Sequence, residues 1–366
     1  MIQMGDTALT PEEIQAAVKV LESGALRQGK ECQAFEEEFA ASTGARHAVT
    51  CANGSAALHL AYAALLERGD EILMPSFTFF ATASMAIQAG LKPILCDVDP
   101  ETFLLDLEDA EKRITPKTKA IAPVHLFGNP CHADEVKVFA ERHNLRIVWD
   151  AAQAHGAQFR GRDVGSFPDF VCYSFYPSKN LFVGEGGMVC AEDEDLDRAV
   201  RFLRTHGQTG KYYHTMLGWN YRMTDVEAAI GRAQLQRFPD MLARRRRNAE
   251  LLLEGLSKVD GLRIQRVTDG GTHAWHQFCM VVEPGFGMAR DELMAALKEA
   301  GIGSGIHYPR GVHQQPIIQD VLGEVELPVT ESLCENIMAI PVHHGLVDAD
   351  IEKICDAVSE ARSARA

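Results

Sequence analysis

Residues 48–152 contain five short apolar runs, AVTCAN (48–53), EILMPS (71–76), PILCDV (93–98), AIAPVHLFG (120–128) and RIVWDAA (146–152). Each run has the length of a buried strand, and the segments between the runs have the apolar spacing of helices. The predicted helices cover Ala56–Leu66, a segment from about Phe80, Leu107–Ile114 and Ala133–His143. This alternation predicts an α/β fold in which a mostly parallel sheet is sandwiched by helices.

The pattern changes after residue 152. Two strand-like runs, DFVCYSF (169–175) and GGMVCAE (186–192), flank a glycine-containing segment, and a long charged helix is predicted at Met241–Leu256. A strand (HQFCMVV, 276–282) and two helices, Arg290–Ala300 and Ala349–Arg362, follow. Because 366 residues exceed what one hydrophobic core usually organises, we predict a large domain at 1–240 and a smaller C-terminal α+β domain at 241–366.

For two helices, the sequence predicts which face is buried and which face is exposed to solvent. Thr10 and Glu13 form a capping-box pattern, so a helix begins there and ends before Gly24. The stripe expected to face the core consists of Ile14, Val18 and Leu21. The run of four arginines at 244–247 is interpreted as the solvated face of the long helix.

Composition excludes several classes of protein. No apolar stretch is long enough to cross a bilayer, and no secretory signal is visible at the N-terminus, so we expect a cytoplasmic protein. The net charge of −15 disfavours nucleic acid as a partner. Nine cysteines without a CxxC pair indicate buried thiols rather than a disulfide framework or a metal site.

One lysine, Lys179, stands between a predicted strand end and a glycine cluster in SFYPSKNLFVGEGG (174–187). A lysine that forms a Schiff base needs a partly desolvated amine, and glycines allow the backbone to approach a cofactor closely. An isolated lysine is more often a surface residue. The catalytic interpretation of Lys179 therefore depends on the motifs around it.

Asp150 ends the strand RIVWD, and Gln153 follows three residues later. Pyridoxal phosphate withdraws electrons only while its ring nitrogen is protonated, and a fixed carboxylate is the usual partner of that nitrogen. Asp150 is placed for this role, and the Gln153 amide could donate to the ring oxygen. Taken alone, Asp150 is equally well a turn or cap residue, and Gln153 a polar loop residue.

A phosphate site is indicated by NGSAALHLA (53–61), where Gly54 and Ser55 lie between a strand and the first turn of a helix. Free amides and the helix dipole favour an anion at such a position. Ser174 can add a hydroxyl donor, and Phe79 in PSFTFF (75–80) could stack on a cofactor ring. On its own Gly54 is equally a tight-turn residue, and Phe79 is more often part of a core.

Together these motifs resemble one family, the DegT or StrS-type sugar aminotransferases, which have the aspartate-aminotransferase fold (fold type I of the pyridoxal-phosphate-dependent transferases). The resemblance covers nearly the whole chain. Besides the segments quoted above it includes RQGKECQAFEEEFAASTGARHAV (27–49), DVDPETFLLD (97–106), WDAAQAHGA (149–157), GWNYRMTDVEAAIG (218–231), GIGSGIHYP (301–309) and IPVHHGL (340–346).

Residue by residue, the resemblance implies pyridoxal 5'-phosphate as the cofactor. Lys179 matches the Schiff-base lysine, which also carries the proton during transfer, and Asp150 matches the partner of the pyridinium nitrogen. Gln153 would lie near the ring oxygen, and Phe79 would stack on the ring. Because some relatives replace the lysine with histidine and dehydrate their sugars, the lysine here favours transamination.

The resemblance further implies that Gly54, Ser55 and Ser174 bind the cofactor phosphate, with Asn220 reaching it from the second subunit of a homodimer. Two departures are mild. Threonine often stands in the family where this chain has Ser55, and histidine where it has Tyr176. The first change keeps a hydroxyl, whereas the second leaves the role of that side chain open.

The predicted reaction moves an amino group from an amino acid, expected to be L-glutamate, to a keto-sugar carried on a nucleotide. His307 and Tyr308 in GIGSGIHYP are the candidate sugar-binding residues, although His307 is also a plausible core histidine. Two alternatives remain open: a transaminase of another ketone, such as a cyclitol ketone or a small amine, and a regulatory protein that only binds the cofactor.

Overall fold

The computed structural model describes residues 1–363. The α-helices in these residues are α1 Pro11–Ser23, α2 Lys30–Thr43, α3 Gly54–Leu65, α4 Ala81–Gln88, α5 Leu107–Arg113, α6 Ala133–His143, α7 Glu194–Arg204, α8 Asp225–Leu256, α9 Arg290–Glu299, α10 Pro316–Leu322, α11 Pro328–Asn336 and α12 Asp348–Ser363. The strands are β1 His47–Cys51, β2 Glu71–Pro75, β3 Lys92–Cys96, β4 Thr118–Ile121, β5 Arg146–Asp150, β6 Gln158–Phe159, β7 Arg162–Asp163, β8 Phe170–Ser174, β9 Gly187–Ala191, β10 Gln208–Gly210, β11 Tyr213–His214, β12 Leu262–Ile264, β13 Gly271–Thr272, β14 Phe278–Val282 and β15 Ile337–Ile340.

The main sheet has seven strands in the order β1-β9-β8-β5-β4-β2-β3. β9 runs antiparallel to both of its neighbours, and the other adjacent pairs are parallel. The predicted mostly parallel sheet is therefore confirmed. The two runs that flank the Lys179 segment, β8 and β9, pair with each other, so the segment between them begins and ends at the same edge of the sheet.

Alternate residues of each central strand enter cores on opposite faces of the sheet. In β5, Ile147 and Trp149 belong to the core beneath α2, α5 and α6. Val148 belongs to the core beneath α3, α4 and α7. Since both faces are covered, the strands consist of continuous apolar residues, which explains the short apolar runs in the sequence.

A second unit follows, built on the antiparallel sheet β12-β14-β15 with α9 and α12 packed against it. The predicted strand and two helices match β14, α9 and α12 within two residues, whereas β12, β15, α10 and α11 were not predicted. The prediction for the long helix was wrong at its N-terminus, because α8 begins at Asp225 and continues through Pro239. Packing of α1 and α2 against α8 outweighs the cost of the proline. The proposed domain boundary at 240/241 falls inside this helix.

Two predictions about helix faces were wrong. The capping box at Thr10 and the end of α1 at Gly24 are confirmed, but Ile14 and Leu21 are more than half exposed. The contact face of α1 instead carries Val20 and Glu13, and the Glu13 carboxylate pairs with Arg237 of α8. The buried Glu13 carboxylate and its ion pair with the partly exposed Arg237 therefore lie on the contact face, which apolar periodicity does not reveal.

The arginine run is likewise not a solvated face. Arg245 is buried and donates to the carbonyls of Trp275 and His276, while Arg246 donates to those of Gly156 and His273. Only the outer members of the run, Arg244 and Arg247, are exposed, and Arg247 pairs with the Asp348 carboxylate of α12. The expected burial of the cysteines is confirmed for eight of the nine, and all nine are free thiols. No helix within residues 1–363 is both long and apolar enough to cross a membrane.

Candidate functional site

A cavity of about 530 Å³ lies at the carboxyl ends of the parallel strands β5 and β8. The polar and aromatic residues that line it come from both units of the chain. Among the residues predicted from the sequence, the structure brings these into one cavity: Gly54, Ser55, Phe79, Asp150, Gln153, Ser174, Lys179, His307 and Tyr308. A crevice at the carboxyl ends of parallel strands is the expected ligand position in α/β proteins.

Lys179 projects into this cavity from the segment between β8 and β9. Its ammonium group makes no hydrogen bond or ion pair with any of residues 1–363. Burial lowers the pKa of the Lys179 amine to about 8, although the Asp150 carboxylate acts in the opposite direction. This shift increases the fraction of uncharged amine near neutral pH, and the uncharged amine is the form that attacks a carbonyl carbon.

Asp150 is the last residue of β5 and is 5% exposed. One of its carboxylate oxygens accepts from the Thr82 hydroxyl at 2.8 Å, and the other accepts from the Ala152 amide at 3.1 Å. Burial raises the pKa of Asp150, while these two hydrogen bonds and the charge of Lys179 oppose the rise. A buried carboxylate with a raised pKa is stabilised in its charged form by a cationic partner in the cavity.

The N-terminus of α3 borders the same cavity. Asn53 caps the helix by accepting from the Ala56 amide, whereas the amides of Gly54 and Ser55 donate to no acceptor in residues 1–363. A Cβ atom on Gly54 would lie 2.6 Å from the Cβ of Ser174, so only glycine allows this close approach. Two free amides, the helix dipole and the hydroxyls of Ser55 and Ser174 therefore converge on a position suited to an anion.

Gln153 connects the two units across the cavity. Its side-chain oxygen accepts from the Phe127 amide at 2.7 Å, and its nitrogen donates to the Tyr308 hydroxyl at 2.9 Å. Tyr308 in turn lies beside Phe79, with ring centroids 6.2 Å apart, and Phe79 is 57% exposed on the cavity side. One amide hydrogen of Gln153 remains for a ligand.

Residues 7–359 match the family model described as the DegT/DnrJ/EryC1/StrS aminotransferase family. The chain belongs to this family. It is 39% identical over 355 residues to UDP-N-acetyl-3-dehydro-alpha-D-glucosamine 3-aminotransferase of Acidithiobacillus ferrooxidans, with 96% of this chain and 94% of the relative covered. It is 35% identical to the pleiotropic regulatory protein of Geobacillus stearothermophilus, with 96% and 95% covered.

The solved structures include one very similar fold. The structure of S. venezuelae DesV in complex with a ketimine intermediate superposes with a TM-score of 0.94 at 35% identity, covering 99% of this chain and 98% of that one. Aminotransferases of the DegT/DnrJ/EryC1/StrS family are pyridoxal-phosphate-dependent. The chain is thus an aminotransferase, and the predicted family and fold are confirmed.

One predicted site residue of this aminotransferase lies elsewhere. Asn220 is exposed, is absent from the cavity lining and pairs through its backbone with Thr205. The resemblance assigns Asn220 to the neighbouring subunit's site, and Asn220 lies outside the cavity of its own chain. Two exposed apolar side chains, Met216 and Leu217, precede it in the same loop, and Leu217 is 94% exposed.

Sequence reasoning missed several residues of the site. Thr82 holds the Asp150 carboxylate, and its hydroxyl also contacts that of Thr78 at 3.0 Å. His276 and Gln277 line the cavity from the small unit, and Nδ1 of the buried His276 has no hydrogen-bond partner. Thr82 was hidden in an apolar helix pattern, and HQFCMVV was interpreted only as a strand. No group of three or more metal-binding side chains occurs among residues 1–363.

Proposed function

We propose that the chain transfers an amino group from L-glutamate to a nucleotide-linked keto-sugar and that its cofactor is pyridoxal 5'-phosphate. The observation that carries this proposal is the unpaired Lys179 amine in the same cavity as the buried Asp150 carboxylate. An amine without a partner and a carboxylate without a cation are costly in a partly desolvated cavity unless a ligand uses both.

The residues present fit this cofactor at three positions. The free amides of Gly54 and Ser55, with the Ser174 hydroxyl, would hold its phosphate. Asp150 would hold the proton on its ring nitrogen, and Phe79 would cover one ring face. When bound, pyridoxal phosphate supplies a carbonyl carbon for amine attachment and a ring that delocalises negative charge.

Lys179 has two tasks in this proposal. Its amine would first hold the cofactor. Once the incoming amino donor has released it, the amine would accept a proton at Nζ from one reacting carbon and deliver that proton to the other. In the ligand-free cavity, burial already lowers the pKa of this amine to about 8, which favours the uncharged form that accepts a proton. Throughout the reaction, Thr82 keeps the Asp150 carboxylate in one orientation through the 2.8 Å hydrogen bond.

The identity of the substrates rests on the relatives and on the residues that line the cavity. The cavity of about 530 Å³, which would hold the cofactor as well as a substrate, is within the range of small-molecule pockets. The Acidithiobacillus ferrooxidans relative is named for a nucleotide-linked dehydro-sugar. His307 and Tyr308, from the small unit, line the cavity and would donate hydrogen bonds to sugar hydroxyls in this proposal.

The test is a panel of nucleotide-linked keto-sugars, each incubated with glutamate and the pyridoxal-phosphate-loaded protein and analysed by mass spectrometry. At least one sugar is expected to gain an amino group while 2-oxoglutarate accumulates. A cyclitol ketone and a small carbonyl compound belong in the same panel. Amination of these compounds alone would contradict the keto-sugar proposal and support a transaminase of another ketone.

A regulatory function is the second candidate because of the similarity to the pleiotropic regulatory protein of Geobacillus stearothermophilus. A protein that only binds the cofactor needs no proton carrier, yet Lys179 is unpaired and has a lowered pKa. Formation of 2-oxoglutarate from glutamate in a single turnover distinguishes the two. Absence of this product with a fully loaded protein would favour regulation.

His307→Ala is expected to slow the sugar half-reaction about tenfold, as for loss of one hydrogen bond to a substrate, while the glutamate half-reaction is nearly unchanged. Glutamate is too small to need the outer part of the cavity. The measurement follows cofactor absorbance in each half-reaction separately. His344→Ala is the control, since this histidine of the small unit lies outside the cavity lining and should affect neither half. Equal losses in both halves would place His307 in the scaffold.

Asn220→Ala is expected to reduce cofactor affinity and activity by removing a contact made across a homodimer. The test uses two differently tagged chains, Asn220→Ala and Lys179→Ala, which are co-expressed and purified through both tags. If Asn220 serves the neighbouring site, the mixed dimer contains one complete site and has about half of the wild-type activity. Activity no higher than that of the separate variants, or a fully active monomer, would refute a shared site.

A further inference from the structure

Asn180, the residue directly after Lys179, has a contact that the proposed reaction does not explain. Its side chain is 3% exposed, and Nδ2 donates to the carbonyl oxygen of Ala274 at 2.8 Å. Its Oδ1 is buried without a hydrogen-bond partner. An unpaired buried oxygen is destabilising, so the retained asparagine needs a reason other than stability alone.

Ala274 belongs to residues 273–277 of the small unit, a segment here called the strap. His276 and Gln277 at its end line the cavity. Arg245 and Arg246 of α8 hold the strap from one side by donating to three of its carbonyls.

The opposite side of the strap is held by the turn at Phe127 and Gly128. The Ala274 amide donates to the carbonyl of Gly128 at 2.8 Å, and the Gln277 amide donates to that of Phe127 at 3.3 Å. The Phe127 amide donates in turn to Gln153. The strap, this turn and Gln153 therefore form one connected set of hydrogen bonds around the cavity, and Asn180 joins Lys179 to it.

We infer that Asn180 is a positioning residue that fixes the backbone of Lys179 to the strap, so that the small unit sets the direction and the burial of the lysine amine. The inference rests on the proposed function of Lys179. The Lys179 side chain itself has no hydrogen bond to orient it. Its direction therefore depends on the neighbouring backbone, and the Asn180 amide is the side-chain link between that backbone and the small unit.

Asn180→Leu keeps the approximate volume and removes the donor. Two readouts follow. In cofactor-free protein, the rate at which acetic anhydride modifies Lys179 is measured against pH by peptide mass spectrometry. In pyridoxal-phosphate-loaded protein, the single-turnover rate with glutamate is measured. We expect the pKa of the Lys179 amine to rise toward its ordinary value, because a loosened strap admits water, and the rate to fall at least about tenfold, because the amine is misplaced.

Asn248→Leu is the matched control. Asn248 is also buried, and its Nδ2 also donates to a backbone carbonyl of the small unit, that of His343, at 2.8 Å. Both variants remove a buried amide that donates to a backbone carbonyl, so both should lower Tm. The decrease should be smaller in Asn248→Leu, because the His343 carbonyl still accepts from the Leu346 amide at 3.3 Å. Only Asn180→Leu should change the pKa of Lys179 and the single-turnover rate. Equal behaviour of the two variants in both readouts would overturn the inference.

A second variant moves the strap without changing either asparagine. Gly128 has φ +97°, and a Cβ atom there would lie 3.0 Å from the amide nitrogen of Trp275 and 3.1 Å from the Cβ of Ala274. Gly128→Ala should therefore displace the strap and change the same two readouts in the same directions. If Asn180→Leu does not fold, Gly128→Ala tests in its place whether the strap positions the Lys179 amine. Unchanged readouts in a folded Gly128→Ala protein would contradict the inference.

A separate experiment tests the proposed function itself. Borohydride reduction of the wild-type loaded protein, followed by peptide mapping, shows whether the cofactor is attached at Lys179. If it is not, the proposed function is wrong, yet the modification of Lys179 in the cofactor-free protein still tests whether Asn180 positions the amine.

Discussion

Replacing Lys179 with alanine is expected to abolish turnover, with a loss of at least about three orders of magnitude in kcat. The same amine is proposed to hold the cofactor and to carry the proton, so no other group in the cavity can replace it. The Asp150 carboxylate accepts hydrogen bonds from Thr82 and Ala152, and its proposed role is a different one, to hold the proton on the cofactor ring nitrogen. The measurement is 2-oxoglutarate formation with glutamate and the keto-sugar found in the substrate panel.

Two controls separate chemistry from folding. Because the Lys179 ammonium makes no hydrogen bond or ion pair within residues 1–363, its removal should leave Tm unchanged or slightly raised. Lys179→Arg keeps a positive charge but cannot supply an uncharged amine, so it should be as inactive as the alanine variant. Activity above about 1% of wild type without added amines would refute the assignment of Lys179.

Asp150→Asn is expected to slow the single-turnover reaction with glutamate by on the order of 10²-fold or more, the usual effect of removing one fixed electrostatic partner. An amide cannot keep a proton on the cofactor ring nitrogen. Cofactor affinity should fall much less, because the phosphate contacts at Gly54, Ser55 and Ser174 are untouched. The fold should persist, since the Thr82 hydroxyl can rotate to accept from the new amide.

Thr82→Val provides the matched comparison for Asp150. It removes the 2.8 Å hydrogen bond to the carboxylate but leaves the charge in place, so its effect on the single-turnover rate should be much smaller than that of Asp150→Asn. An unchanged rate in Asp150→Asn would make Asp150 a structural residue. Equal losses in both variants would indicate that orientation, not charge, is what the carboxylate contributes.

Much of the site could be predicted because its residues follow local signals. Asp150 and Ser174 are the last residues of their strands, and parallel neighbours end at the same edge of a sheet. Gly54 begins a helix after a strand, where amides are free. These placements depend on strand and helix periodicity, which a single sequence displays.

The contacts that the sequence did not reveal join residues far apart in the chain. Thr82 meets Asp150 across 68 positions, Asn180 meets Ala274 across 94, and Gln153 meets Tyr308 across 155. Local spacing carries no information about such partners, because their meeting depends on how helices and sheets pack. Asn220 adds a further case, since its proposed partner site belongs to another copy of the chain.

The alternation of strands and helices in the large unit, the class of its sheet and the family could be inferred from the chain alone, because alternating apolar runs and ordered motifs are properties of the chain. Tertiary structure decided which face of a helix is buried and which polar groups meet. In α1, Val20 and the Glu13 carboxylate, which pairs with the partly exposed Arg237, lie on the contact face in place of Ile14 and Leu21. In α8, the buried Arg245 donates to carbonyls of the strap. Buried charges and backbone carbonyls find their partners only after the units pack, and this pairing fixed the details around Lys179.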